Sequence, residues 1–326
     1  MILSASAKKV KRKVEKWSDI VSGSKLDLSK PINFVTAKQI KQIVHEEPRL
    51  MAKMDSLEDL PSIFRENGVF LLPINRQQYL IVRGRGYHEL EGMISKPEIY
   101  PTSFPFPTSA EDVESEGVYL DYAYSSGILS SFTGLSNLHL SLRGRRTTPQ
   151  FSFGVNRSVI QVDGAQIEVD VVYENIEQIA SVEAKIGMPN SFSIRQLYYP
   201  FRTFRCKKPV RNLFFSFEPA QKMYLLCEYE FSPYTSFESI RMVQYKQYQI
   251  KLIGVVSIQQ YQNVLPASKK IDIPQADYVN KIIQFPYRVF EGYDTSEKMI
   301  EAFGFVRRQS SYYRQAAEIL GFVVLH

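Results

Sequence analysis

"QIEVDVVYENIEQIASVEAKIG", residues 166–187, is the stretch whose reading decides the fold. Apolar residues alternate on either side of "NIEQ", which predicts two short strands joined by a turn. The other face of the first strand carries Gln166, Glu168 and Asp170, and that of the second carries Glu183 and Lys185. If the two strands are neighbours, Asp170 and Glu183 converge. Charge on a sheet is costly unless it is paired, metal-bound or at the rim. Carboxylate oxygens are hard ligands that suit Mg²⁺, which commonly takes one or two of them and keeps its waters and substrate phosphates. Lys185 beside them is placed to orient or deprotonate a metal-bound water. The plainer alternative is a structural ion pair of the two carboxylates with Lys185 or a nearby arginine.

Working outward, "SIRQLYYPFRTF" (193–204) changes to a helical period. Strand patterns follow in "VRNLFFSF" (210–217) and "MYLLCEYEF" (223–231). Upstream, strand patterns begin at "NLHLSLRGR" (from 137) and continue through "PQFSFGV" and "SVIQV". Before them a helix is predicted from Ser115, as N-cap, to Gly134, with Val118, Tyr122, Ile128, Leu129 and Phe132 inward. "KPEIYPTSFPFPTSAEDVES" (96–115) holds four prolines and reads as a linker or surface loop. Two strand-like runs, 69–74 and 79–82, precede an "RGRG" turn at 83–86. Residues 1–65 read as helical, with Thr36 as an N-cap, Ile40, Ile43 and Val44 as a stripe, and Pro48 as an interruption. "KKVKRKVEK" (8–16), with six Lys/Arg, is a solvated helix face or a DNA-touching arm.

The last segment, 294–325, reads as helix, tight turn at Gly304, second helix, stop at Gly321, then strand. Asp294 and Glu297 make a capping-box-like start. Val306, Tyr313, Ala316, Ala317 and Leu320 form the second helix's inward stripe. Two helices joined by a short Gly-containing turn are the helix-turn-helix signature. The second helix opens with Arg307, Arg308, Gln309, Ser311, Tyr312 and Arg314. Arginine, glutamine and serine here suit base edges or phosphates in a major groove, and Tyr312 the backbone. A helical cap with its polar face in water is the alternative. Arg143 and Arg145 in "RGRR" (143–146) and the "RGRG" arginines are further candidate phosphate contacts.

At 326 residues the chain predicts two or three domains. A hydrophobic fraction of 44% and 41 Tyr and Phe (20 and 21) exclude a disordered chain. A net charge of +6 with pI near 9.0 permits a polyanionic partner. Two cysteines, Cys206 and Cys227, and four histidines exclude a zinc finger and a disulfide framework. No apolar run reaches the roughly 20 residues needed to span a bilayer, and the N-terminal order is wrong for a secretory signal. The expectation is a soluble, cytoplasmic protein without a membrane partner.

Asp170, a twelve-residue gap, and Glu183-Ala184-Lys185 together resemble the PD-(D/E)xK nuclease motif, with Val169 where the family often has proline. The surrounding "QIEVDVVYEN", "SVEAKIG", "FSIRQLYYPFR" and "KKPVRNLFFSFE" resemble the core of a group of type II restriction endonucleases. "EPRLMAKMDSLEDLP" and "FLLPINRQQYLIV" resemble their N-terminal part, so the likeness covers most of 47–325. It implies an α/β (α+β) chain with a restriction-endonuclease-like mixed sheet flanked by helices. A helical and β-hairpin region over 1–95 would precede a catalytic domain over 110–250, and a small helix-turn-helix (winged-helix-like) unit would span 270–326. Asp170, Glu183 and the Ala184 carbonyl would hold Mg²⁺, and Lys185 would prepare the water. The preceding helix would add Glu116, with Asp121 as a weaker candidate. Related nucleases carry Q-x-x-x-Y on the following helix. Gln196 matches it, while Pro200 stands at the tyrosine position and Tyr198 and Tyr199 lie inside.

The implied activity is Mg²⁺-dependent, site-specific cleavage of double-stranded DNA by a bacterial or archaeal homodimer, with a cognate DNA methyltransferase as genetic partner. A non-catalytic helix-turn-helix regulator, or a repair or modification-dependent nuclease of the same fold, are the alternatives.

Overall fold

A computed structural model describes residues 16–90, 96–252 and 274–323. The basic stretch 8–15 and the end of the predicted C-terminal strand lie outside the described residues. The chain divides into two compact units, Met1–Val255 and Val256–His326. It is a mixed α+β protein built on one large mixed sheet.

The described residues of the first unit open with a helix over 16–23 (α1) and a small antiparallel sheet. That sheet holds β1 (Ile32–Thr36), β2 (Val69–Pro73) and β3 (Gln78–Arg83) in the order β1-β3-β2. Three short helices fill the connection: α2 (Ala37–Val44), α3 (Pro48–Met51) and α4 (Ser62–Glu66). Thr36 starts α2 through a capping box. Its hydroxyl accepts from the Gln39 N–H at 3.1 Å, and the Gln39 amide oxygen accepts from the Thr36 N–H at 2.8 Å. Pro48 begins α3, the position where its missing N–H costs nothing. Trp17 is fully buried and its indole donates to the Met51 carbonyl at 3.1 Å.

The second part carries β4 (Tyr87–Glu89), β5 (Glu98–Thr102), α5 (Glu116–Ser126) and α6 (Ile128–Thr133). Next come β6 (His139–Thr147) and a separate hairpin of β7 (Phe151–Val155) and β8 (Ser158–Val162). β9 (Gln166–Glu174), β10 (Ile179–Ile186), β11 (Ser191–Ser193) and α7 (Ile194–Phe204) follow. The unit closes with β12 (Val210–Glu218), β13 (Met223–Phe231) and β14 (Ile240–Leu252). The large sheet runs β5-β14-β13-β12-β10-β9-β6. β6, β9 and β10 are antiparallel neighbours, and β12 lies parallel to β10. A parallel neighbour needs a crossover, and α7 supplies it.

The central strands are buried on both faces, which explains their nearly continuous apolar sequence. Along β12, Leu213, Phe215 and Phe217 enter a core with α5 and α6, while Phe214 enters the other core with Leu197 of α7. That second core also contains Trp17, Phe64, Leu72 and Ile81. The N-terminal region and the large sheet therefore share one core within a single unit, with no boundary near 95–110.

Several local expectations change. Residues 96–115 are not wholly a loop, because Glu98–Thr102 pairs in parallel with β14 at the sheet edge. β14 itself, thirteen residues, was not expected. The helix predicted over 115–134 is two helices, broken at Gly127 with φ +92°, although Ser115 caps the first as expected. "RGRR" lies on edge strand β6, continuing the strand pattern read from 137. In "RGRG", Gly86 is required because a Cβ there would sit 2.3 Å from the Phe70 ring.

Among its described residues the C-terminal unit has three helices, α8 (Val279–Phe290), α9 (Ser296–Phe303) and α10 (Arg307–Ile319). α8 was not expected. Gly304, φ +67°, ends α9, and three residues separate it from α10. Ile282, Phe285, Met299, Phe305, Tyr313 and Ala317 form the core. Tyr313, Ala316 and Ala317 point inward as expected, but Val306 and Leu320 are 64% and 47% exposed because they sit at the helix ends. Thr295, not Asp294, caps α9, accepting from the Lys298 N–H at 3.3 Å. Residues 321–323 are turn and coil, not strand. Among the described residues, no helix is long and apolar enough to cross a membrane.

Candidate active site

The site arises where β9 and β10 stop pairing. Their ladder runs from Ile179↔Glu174 to Val182↔Val171. Beyond it β10 stays registered with β12, including Glu183↔Phe214 and Lys185↔Ser216, and β9 stays with β6. Asp170 is the first residue past the ladder. Its Oδ2 accepts the Ala184 N–H at 2.7 Å, satisfying a backbone donor that β9 no longer serves.

Glu183 is 6% exposed. Its Oε1 accepts from both the Lys185 ammonium and the Gln196 amide. The same ammonium donates to the Ala184 carbonyl at 2.9 Å. Gln196 reaches Glu183 because the first turn of α7 packs over β10, anchored by Ile194, Leu197 and Tyr198. Gln196 makes that contact through Nε2, and its amide oxygen, Oε1, is buried without a partner.

The electrostatics are one-sided. Burial pushes Glu183 up to about 8, against the pull of the Lys185 ammonium, and Asp170 raises it further. Burial also raises Asp170 and Glu116, each opposed by Lys185. For Lys185 itself burial disfavours the ammonium, but Glu183, Asp170 and Glu116 outweigh it and its pKa moves up. Three carboxylates thus crowd one lysine.

These groups line a cleft of about 700 Å³ whose facing wall comes from the N-terminal region, including Arg49, Lys53, Asp55 and Tyr79. Asp55 was not foreseen. Its charge raises Glu116, Asp170 and Glu183 alike. Its backbone is tied to the start of α7, since its carbonyl accepts the Ser193 N–H at 2.8 Å. No local spacing in the sequence links position 55 to positions 170 and 183, so only the shared core could reveal it.

Of the expected residues, Asp170, Glu183, Ala184, Lys185 and Gln196 come together. Glu116 begins α5 and lines the same cleft. Asp121 does not join them and instead pairs with Arg143. Arg145 lies 3.8 Å from the exposed Glu168. Tyr198 and Tyr199 are fully buried, donating to the carbonyls of Tyr234 (2.8 Å) and Pro73 (3.0 Å). In the other unit, Arg307 and Arg308 are exposed, with Arg308 donating to the Tyr312 hydroxyl. Gln309 accepts the Val306 N–H at 3.0 Å, Arg314 pairs with Glu318 at 3.4 Å, and Ser311 is half-buried.

Among the described residues, no three His, Cys, Asp or Glu side chains form a ready metal cage. The donor set does suit a Mg²⁺ ion, which needs only one or two carboxylates and keeps the rest of its shell for water and substrate. Buried carboxylates with raised pKa and an unpartnered buried amide oxygen are what such an ion would relieve.

Residues 82–249 match the family described as Domain of unknown function (DUF6997). That span is just over half of the chain. The chain belongs to the DUF6997 family. Residues 15–81 match a second family, Domain of unknown function (DUF6996). The cleft is therefore walled by both, with Asp55 from the DUF6996 segment and Asp170, Glu183 and Lys185 from the DUF6997 segment. No curated protein matches the chain, and no solved structure does.

Proposed function

We propose that the chain is a site-specific, Mg²⁺-dependent endonuclease of the type II restriction class, acting on double-stranded DNA. The observation that carries this reading is the meeting of Asp170, Glu183 and Lys185 at the end of the β9–β10 ladder, with Gln196 on Glu183. The order of elements also supports a restriction-endonuclease-like fold: helix, three antiparallel strands, crossover helix, parallel strand.

Asp170, Glu183 and the Ala184 carbonyl would hold the ion. When bound, it would polarise a phosphoryl oxygen and lower the pKa of a water. The chain's own residues do the positioning. The Ala184 N–H fixes one oxygen of Asp170, and Gln196 fixes one oxygen of Glu183. Lys185, held as an ammonium by the surrounding carboxylates, orients the attacking water and offsets charge growing on the phosphoryl group. A water would attack phosphorus in line and lose a proton to bulk water as one P–O ester bond breaks, and the leaving oxygen would take a proton from bulk water.

The C-terminal unit is read as a DNA-contacting element. Its three-residue turn at Gly304 and the exposed Arg307 and Arg308 at the start of α10 support this. A two-fold homodimer acting on a palindromic site, in the cytoplasm beside a cognate methyltransferase gene, completes the reading.

The test is incubation of unmethylated plasmid with Mg²⁺ and wild type, Lys185→Ala, or wild type plus EDTA. Discrete fragments from wild type alone are expected. Tight DNA binding with no cleavage of any unmodified DNA would favour a non-catalytic binder instead.

A further inference from the structure

α7 carries two arginines, Arg195 and Arg202, and the structure gives them different surroundings. Arg202 is held within the fold. Its Nη1 donates to the Ser152 carbonyl at 3.0 Å and the Tyr198 hydroxyl at 2.8 Å, and its guanidinium lies 4.9 Å from the Phe151 ring centre. Arg195 lines the cleft, half-buried, and makes no hydrogen bond or ion pair among the described residues.

That placement is unfavourable by itself. Partial burial removes water from a charge that no carboxylate balances. Arg195 is also the second residue of α7, where the helix dipole opposes a cation. The titratable groups whose ionisation it touches are the phenols of Tyr79, Tyr87 and Tyr199. Burial keeps all three neutral by raising their pKa, and two of them donate elsewhere, Tyr87 to the Met54 carbonyl and Tyr199 to that of Pro73. Of the acids on the facing wall, Glu47 is exposed to water, and Asp55 and Asp59 are engaged elsewhere. Asp55 pairs with Lys53 at 3.5 Å, and Asp59 accepts the Asp55 N–H at 3.3 Å.

We propose that Arg195 is a substrate contact that takes a backbone phosphate of DNA next to the scissile one. Its neighbour on the same helical turn, Gln196, touches Glu183, so an anion at Arg195 sits beside the reacting centre. A guanidinium is suited to this because it can meet two phosphate oxygens with parallel N–H donors. Arg49, exposed and likewise without an ion pair among the described residues, faces the cleft from the opposite wall and extends the same anionic path. The inference rests on the nuclease reading for the identity of the anion, and on the cleft alone for the need of one.

The test measures binding of a labelled DNA duplex in EDTA, where cleavage is off, across a range of KCl. Arg195→Gln is expected to weaken binding about tenfold at low salt, the value of one charge-assisted contact. It should also reduce the slope of log K against log salt by about 1. Arg195→Lys should restore the slope, and neither variant should lower the melting temperature. Arg195→Gln with wild-type affinity and slope, a fall in melting temperature with the slope unchanged, or wild type that binds no duplex, would each overturn the proposal. If wild type cleaves while Arg195→Gln keeps the slope, the nuclease reading stands and this inference falls. If the slope drops but wild type never cleaves with Mg²⁺, the phosphate contact stands and the catalytic reading falls.

Discussion

The large sheet buries two glutamates beside two cations, and they are built differently. At Glu228, both oxygens meet the Arg211 guanidinium, Gln244 donates to one of them at 2.8 Å, and Arg211 also reaches the Thr133 carbonyl at 3.2 Å. The charges are matched one to one. At Glu183, Lys185 faces three carboxylates, of which only Glu116 also feels Lys53, a fourth acid, Asp55, adds to the field, and a buried amide oxygen on Gln196 has no partner. A matched pair explains itself as structure. An unmatched cluster held in a cleft is destabilising as it stands, and such clusters mark functional sites.

The comparison can be broken by exchanging the roles of the two cations. Under the proposed nuclease reading, Lys185→Ala is expected to cut DNA cleavage by roughly 10²–10³-fold, the usual weight of a donor preorganised for charge that grows in the transition state. Arg211→Ala should leave the cleavage chemistry intact but strand Glu228, costing about 3 kcal/mol in urea unfolding. A reversed outcome, with Arg211→Ala inactive but stable, would dissolve the distinction.

The next effect is a pH dependence without metal. Glu183 is pushed up to about 8 in the folded chain, from an ordinary value of 4.5. Between those values the folded state holds a proton that the unfolded state has lost, so stability falls as pH rises. His88, lowered by burial to about 4, acts with the opposite sign and only between about 4 and 6.5. From pH 6.5 to 8 the fall should therefore trace Glu183, on the order of 1–2 kcal/mol. Glu183→Gln should flatten the dependence of melting temperature on pH in that window.

Smaller effects sharpen the picture elsewhere. Arg307→Ala with Arg308→Ala should weaken duplex binding by about tenfold at low salt without changing the melting temperature, since both side chains are exposed. Unchanged binding would make α10 an ordinary helical surface. Tyr199→Phe removes one hydrogen bond and should cost about 1 kcal/mol while leaving cleavage unchanged. Lost activity there would return a tyrosine to the chemistry.

The central pair of strands was legible because the pleat has a period of two and the turn is short. The bounds of β9 and β10 fall within 166–187, and Asp170, Glu183 and Lys185 meet as their spacing implies. Thr36 and Ser115 were legible because a cap is a local interaction. Asp55 was not, because its place depends on a core that joins Trp17 to Phe214 across the chain. β5 was hidden by prolines that an edge strand tolerates, with Pro101 inside it. Arg195 and Arg202 look alike in the sequence, and only the partners of each guanidinium tell them apart.

The claim that the unmatched charge in the cleft is there for a cation is tested most directly by calorimetric titration of Mn²⁺, as a spectroscopically convenient stand-in for Mg²⁺, into wild type and Asp170→Asn. The account predicts saturable binding to wild type, abolished by Asp170→Asn, with Glu228→Gln binding as wild type does. Wild type that takes up no divalent ion, or Asp170→Asn that binds it equally well, would contradict it.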